Sequence, residues 1–278
     1  MKEFSFTVDK EQKIIGFLRE NGVSVEIVQK VKYGGVFLNG VVVKNINDLA
    51  KAGDEIVMKL PKDENNAHCK PIKEKLDVLY EDDYFLAVNK KKGVLTHSLR
   101  YNETPSLEQI VRGYFMPNDF TFRAVNRLDK ETSGIVLIAK DEYSASLLGE
   151  KIKKGEILKT YLAVVKNKPS SNHFIVEKPI LKMPNTIKRK CDNLGKHAKT
   201  EFFYVKQLAS DKHLLKAILH TGRTHQIRVH LQSENLALLG DELYGEPSNE
   251  EYVLHAYKLE FVHPFTKEKI QIESPLKL

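Results

Sequence analysis

The apolar positions of the first sixty residues change period several times, and each change marks an element. Ile14, Phe17 and Leu18 are spaced for one face of a helix, and Gly22 follows as a stop. Ser24 is placed to cap a second short helix whose buried face is Ile27, Val28 and Val31. The run VFLNGVVV then sets Asn39-Gly40 between two β-branched stretches. This is a strong hairpin signal, because both turn residues tolerate positive φ. Gly53-Asp54 turns the chain into a last strand, Ile56 to Leu60. Residues 61–73, PKDENNAHCKPIK, are polar, contain two prolines and read as a linker. The chain therefore divides into a small part, 1–60, the linker, and a large part, 74–278.

In the large part, strand patterns dominate. Tyr84 to Asn89 reads as a strand after the Glu81-Asp82-Asp83 turn. Thr104 is expected to cap, and Pro105 to open, a helix with Leu107, Ile110, Val111 and Tyr114 on one face. Ile135 to Ala139 is an apolar run for a buried strand, and Asp141 is positioned to cap the helix after it. Ile157 to Val165, Ala198 to Leu208 and Leu214 to Leu219 have strand character. Strands outnumber helices and do not alternate regularly with them. The expected class is α+β with a mostly antiparallel sheet, joined to a small α/β unit.

Composition narrows the class. The chain has 278 residues, and 41% are hydrophobic, enough for a sizeable core. No apolar run is long enough for a membrane span, and Met1 to Lys10 alternate rather than forming an apolar leader, so a cytoplasmic protein is expected. Cys69 and Cys191 lack zinc-ligand spacing and do not make a disulfide framework. The 44 basic and 37 acidic side chains leave a net charge of +7, which favours polyanionic partners without naming one.

No phosphate-cradling glycine loop and no dinucleotide fingerprint is present, so no cofactor is expected. His220, His225 and His230 stand five apart. Five residues of helix advance about 500°, so these rings cannot converge on one metal, and no metal is expected. The informative stretch is RAVNRLDKETSGIVLIAK, from Arg123 to Lys140. It places Asp129 beside Arg127 in a loop just before a core strand, where nearby cations would hold a carboxylate ionised. Residue chemistry alone reads this more readily as a structural ion pair than as a catalytic group. Likewise Tyr161 in KTYLAVV reads as an ordinary core strand residue.

Arg127-Leu128-Asp129 with Thr132-Ser133-Gly134 resembles the signature of the RluA/RluD pseudouridine synthases. Lys159-Thr160-Tyr161, the run from His220 to His230, Leu239-Gly240-Asp241 with Tyr244-Gly245, and Leu254-His255-Ala256 with His263-Pro264 follow in the family's order. The resemblance implies isomerisation of uridine to pseudouridine in structured RNA, with ribosomal RNA of the large subunit expected first and transfer RNA as the alternative. It implies Asp129 as the catalytic aspartate, Tyr161 stacked on the base, and Arg223 as the ion-pair partner positioning Asp129. It also implies that Arg127 enters the RNA stack and that Leu254 packs the floor of the site. Asn126 stands where the family commonly has histidine, and is expected to alter how the vacated stack is filled. The small part resembles the RNA-binding module of ribosomal protein S-four, with Lys30, Lys32 and Lys44 as candidate RNA contacts. Its first helix departs from that module, carrying Lys13-Ile14-Ile15 where an Arg-Leu-Asp stretch is usual. A monomer is the default expectation.

Overall fold

A computed structural model describes residues 2–62, 69–98, 105–118, 120–246 and 249–276. The amino-terminal unit opens with β1 (Glu3–Thr7) and β2 (Gln12–Lys13), then the helices α1 (Ile14–Glu20) and α2 (Val25–Val31). It continues through β3 (Val36–Leu38), β4 (Val41–Val42), β5 (Leu49–Ala50) and β6 (Glu55–Lys59). Four strands form one sheet in the order β1-β6-β3-β4. The turn between β3 and β4 has Asn39 at φ 48° and Gly40 at φ 82°, the double positive φ that this dipeptide favours. Ser24 accepts a hydrogen bond from the Ile27 amide and caps α2. Ile14, Phe17, Leu18, Ile27, Val28 and Val31 are all buried against the sheet.

The large unit contains β7 (Val78–Glu81), β8 (Phe85–Lys90), α3 (Leu107–Tyr114), β9 (Arg123–Ala124), β10 (Ser133–Ala139) and α4 (Glu142–Lys153). Then come β11 (Leu158–Val165), β12 (His173–Val176), β13 (Ile180–Lys182), β14 (Arg189–Cys191), β15 (Thr200–Ala209) and β16 (Lys212–Leu219). Last are α5 (Gln226–Ser233), β17 (Leu254–Val262) and β18 (Lys269–Glu273). The main sheet runs β12-β15-β16-β11-β17-β10-β8-β7, with β18 paired to β17 and β9 to β10. Every pairing in it is antiparallel except β10 with β17. The expected α+β class with a mostly antiparallel sheet is what the chain adopts.

The parallel pair is short: only Ser133 with His255 and Gly134 with Ala256 are in register. Gly134 sits at φ +106°, and a Cβ there would lie 2.3 Å from the Ala256 carbonyl oxygen. The backbones can therefore meet at this point only without a side chain. A hydrogen bond between the Ser133 hydroxyl and His255 Nδ1 (2.8 Å) closes the junction, and His255 Nε2 lies 3.0 Å from the Ser274 carbonyl oxygen.

Two local expectations change. α3 is capped by Ser106, not by Thr104, which lies outside the described residues. The Ser106 hydroxyl accepts from the Gln109 amide while Gln109 reaches back to the Ser106 amide, a reciprocal capping box. Of the expected linker, 63–68 also lie outside the described residues, but its last part is docked: the Ile72 amide donates to the Gln109 carbonyl (3.0 Å), and Arg112 donates to the Cys69 carbonyl.

The two units share a seam along α4. Tyr143 completes the core of the small unit, and its hydroxyl donates to the Asn21 carbonyl (2.7 Å). Ser146 donates to the Gly22 carbonyl (2.9 Å), and Lys2 pairs with Asp141 at 2.8 Å. Lys30 pairs with Glu142. Phe4, Tyr84, Tyr143 and Phe265 pack as one aromatic cluster across the seam.

Gly134→Ala is expected to destabilise the protein by about 3 kcal/mol or more, from strained φ plus backbone overlap. A denaturant titration reading a lower midpoint checks this; an unchanged midpoint contradicts it.

Candidate active site

The loop between β9 and β10 carries Arg127, Leu128 and Asp129, and three buried groups hold it. The Thr96 hydroxyl donates to the Leu128 carbonyl (2.9 Å) and accepts from the Leu128 amide (3.2 Å). The Thr132 amide donates to the Asp129 carbonyl at 3.2 Å. Lys90, 1% exposed, donates its ammonium to the carbonyls of Lys91, Val94 and Lys130 at 3.1, 2.7 and 3.1 Å. Burial pushes its pKa down to about 8. Nothing in the sequence marked Lys90 as more than the end of a strand.

Asp129 stands between two openings. On one side is a recess of about 220 Å³, lined among others by Asp129, Tyr161, Leu254, Lys159 and Ile227. On the other is a wider cleft of about 860 Å³, bordered by Arg127, Asp129, Tyr252 and Ile187. Sheet order explains the convergence. Tyr161 on β11 lies opposite Ala256 on β17, Leu254 on β17 lies opposite Ala163 on β11, and β10 adjoins β17. The aspartate loop enters the sheet beside both side chains.

Arg223 does not pair with Asp129. Its Nε donates to the His197 carbonyl (2.9 Å), and it is exposed. The reason is the turn before α5, which begins at Gln226 rather than near Arg223. Buried Gln226 accepts from the Thr221 hydroxyl and the Arg223 amide, and donates to the Lys199 carbonyl and the Thr200 hydroxyl. His225 then takes a left-handed φ of 59°, which separates Arg223 from the helix.

The arginine at Asp129 is Arg228, on the first turns of α5. Its Nη1 lies 3.6 Å from Asp129 Oδ2. Nε and Nη2 form a fork onto Asp241, at 2.8 and 2.7 Å. The rings of Tyr244 and Tyr252 lie 4.9 and 5.5 Å from its guanidinium carbon. Burial opposes the charge, but the Asp241 hydrogen bonds and the charges of Asp241 and Asp129 outweigh it and raise the pKa. The sequence signal was present, a second arginine in the same motif with Asp241 further on, but spacing could not tell the two arginines apart.

His225 Nε2 lies 3.8 Å from Asp129 Oδ2 and its Nδ1 is 2.7 Å from the Tyr244 hydroxyl. Burial pushes its pKa below the usual histidine range despite the opposing Asp129 charge, so the imidazole beside Asp129 is neutral at neutral pH. Tyr161 is buried, and burial first and the Asp129 charge second raise its pKa. Lys159 also borders the recess, its pKa lowered by burial.

The remaining expected residues separate. Leu254 lines the recess, and Arg127 is exposed between the two openings with no ion pair among the described residues. Asn126 also lines the recess, and its side chain braces β10: its amide donates to the Ile135 carbonyl (3.0 Å) and accepts from the Leu137 amide (2.8 Å). Lys30 is taken by Glu142 at the seam, whereas Lys32 stacks over Tyr33 at 4.7 Å and Lys44 is exposed. His220 and His230 go to Glu201 and Thr200 respectively, away from His225. Among the described residues no group of three or more His, Cys, Asp or Glu is placed to hold a metal ion, and no helix is long and apolar enough to cross a membrane.

The profile of the family described as RNA pseudouridylate synthase matches residues 84–233. The chain belongs to that family. An uncharacterised RNA pseudouridine synthase of Bacillus subtilis is 33% identical over 264 residues, covering 92% of this chain and 93% of that one. A ribosomal large subunit pseudouridine synthase D of Buchnera aphidicola is 34% identical over 226 residues, covering 72% and 69%. The solved structure of human RNA pseudouridylate synthase domain containing 1 superposes with a TM-score of 0.61 at 25% identity, covering 73% of this chain and 84% of that one. The protein is thus an RNA pseudouridine synthase of the RluA type, and the matched segment contains the Asp129 loop, Tyr161 and Arg228.

In this pseudouridine synthase, Arg228→Lys keeps a cation but loses the fork to Asp241. Turnover at saturating RNA is expected to fall by roughly a hundredfold, because Asp129 is no longer held in place; near-normal turnover in a single-turnover assay contradicts this. For Tyr161, both shifts disfavour the phenolate, so its ionisation moves above the ordinary value of 10.0. No limb of the pH–rate profile between pH 6 and about 9 comes from it. Tyr161→Phe should therefore change the height of the profile and not its shape; a limb that disappears in the variant refutes the assignment.

Proposed function

We propose that the protein isomerises specific uridines of large-subunit ribosomal RNA, using Asp129 as its catalytic group on a nucleotide turned out of its helix. The observation carrying this is the position of Asp129: its carboxylate lies at the mouth of a recess of about 220 Å³, with Arg228 at 3.6 Å. That volume corresponds to roughly seven liquid waters. It suits one flat base and not a stretch of strand, so the target nucleotide must leave its stack, at a cost of a few kcal/mol.

The bond from uracil N1 to the sugar breaks, the base rotates in the recess, and C5 takes the place of N1. The hydrogen on C5 then leaves to solvent as a proton, and N1 takes up a proton in exchange. Asp129 stabilises the electron-poor sugar carbon or bonds to it, as carboxylates do in glycoside chemistry. Arg228, anchored by Asp241, and His225 fix its orientation. Tyr161 and Leu254 form the apolar walls against which the base turns. Arg127, exposed at the mouth, fills the gap in the stack, where a flat cation offsets part of the unstacking cost. Relatives titled large-subunit synthases support the ribosomal substrate, with transfer RNA the second candidate. In the small unit, Lys32 with Tyr33 and Lys44 remain as candidate RNA contacts.

The test is tritium release from RNA labelled at uridine C5, isolated as ribosomal and transfer fractions from cells lacking this protein. Wild type is expected to release tritium from the ribosomal fraction. Asp129→Asn is expected to release none while retaining RNA affinity. Release by Asp129→Asn at the wild-type rate removes the aspartate from the chemistry, and accumulation of free uracil would make the enzyme a nucleosidase.

A further inference from the structure

The antiparallel pair β13–β14 projects beside the active site, and the chain around it, residues 178–199, carries seven Lys or Arg and a single acidic residue, Asp192. Three of those cations are neutralised: Lys178 by Glu234, Lys190 by Asp192 and Lys199 by Glu177, at 2.6, 2.6 and 2.8 Å. Lys182, Arg189 and Lys196 are different. Together with Arg223 they line a recess of about 440 Å³ whose far wall is Gly222, Arg223 and Thr224, the same turn that lines the pocket of Asp129. No carboxylate lines this recess, and among the described residues none of the four cations forms an ion pair.

Two details show that the arrangement is held against its own electrostatics. Lys182 and Arg189 are directly opposite each other across the β13–β14 ladder, a like-charge pairing that costs stability. Arg223 is anchored through Nε alone on the His197 carbonyl, which leaves its two terminal nitrogens with no acceptor among the described residues. A guanidinium fixed at one edge and open at the other presents a fork suited to two oxygens of one phosphate. Lys196 is fixed from behind, because its amide and carbonyl both pair with Ile180.

We propose that this recess is a binding site for a backbone phosphodiester of the RNA, adjacent to the nucleotide held at Asp129, with Lys182, Arg189, Lys196 and Arg223 as its ligands. The inference rests on the reading that RNA occupies the cleft at Asp129, and it gives Arg223 a role in seating substrate in place of the ion pair with Asp129. A phosphate there relieves the Lys182–Arg189 repulsion and fixes the strand on one side of the target, while Arg127 fills the stack.

The test compares wild type with the double variant Lys182→Ala/Lys196→Ala, both exposed positions, with circular dichroism to check that the variant folds. The probe is ribosomal RNA from cells lacking the protein, lightly ethylated on its phosphates and partitioned by filter binding. In wild type, ethylation within about two nucleotides of the converted uridine is expected to block binding. In the double variant that interference disappears, Kd rises by roughly tenfold, and the slope of log Kd against log salt falls by about 0.7, as for one single-strand phosphate no longer neutralised. KM rises with Kd, while kcat at saturating RNA stays within about threefold. Equal Kd, salt slope and interference pattern in the two proteins overturns the proposal, even with tritium release intact. Interference seen with wild type and lost in the double variant, when wild type releases no tritium from any fraction, instead overturns the isomerase reading and leaves the phosphate site standing.

Discussion

Arg228 is one cation serving two carboxylates, and the geometry of the site follows from that sharing. Asp241, wholly buried at its side chain, takes the two-pronged contact, and Asp129 receives the remaining nitrogen at a longer distance. The division has a physical reason. A buried charge needs a close, well-hydrogen-bonded partner, and breaking such a pair costs about 3–5 kcal/mol. Asp241 supplies that stability, so Asp129 need not be locked in a tight bridge. Its carboxylate stays oriented and partly open to the pocket.

The rest of the architecture delivers the pieces to that cation. The main sheet brings β11, β17 and β10 side by side, so that a tyrosine, a leucine and the aspartate loop come from neighbouring strands. Gly134 lets β10 and β17 approach backbone to backbone at the base of the loop, and Lys90 ties the loop from beneath through three carbonyls. A buried ammonium bound only to carbonyls adds positive potential near Asp129 without competing for its oxygens. The turn before α5 then sorts two arginines of one short motif. The left-handed residue His225 sends Arg223 to the surface and Arg228 inward.

Much of this was readable in the chain. Periodicity located α1, α2, the Asn39-Gly40 hairpin, β8, β10 and α4, because each has its apolar face and its cap or turn within a few residues. Motif order led to Asp129, Tyr161 and Leu254, which the fold brings around one recess. What could not be read depends on partners distant in sequence. Arg223 and Arg228 look equivalent until Gln226 is seen holding the turn, and Lys30 looks free until Glu142 is placed beside it, 112 residues later. Asn126 lines the recess as expected, but its second task, bridging Ile135 and Leu137, is invisible until β10 is in place. The strands β12, β13, β14, β17 and β18 are short or mixed in polarity, and their pairing across the sheet, not local propensity, makes them strands.

The seam along α4 gives the molecule a built-in length standard. Tyr143, at one end of that helix, is sunk in the core of the small unit, and Ile152, near the other end, borders the recess beside Asp129. The nine residue steps from Tyr143 to Ile152 rise about 14 Å. Because hydrogen bonds, ion pairs and an aromatic cluster all fasten the seam, that span behaves as a gauge rather than a tether. An RNA that touches both units has to carry its two points of contact at a matching offset in three dimensions. For such an RNA, telling one uridine from another would be a matter of metrology, its folded shape checked against a fixed calliper.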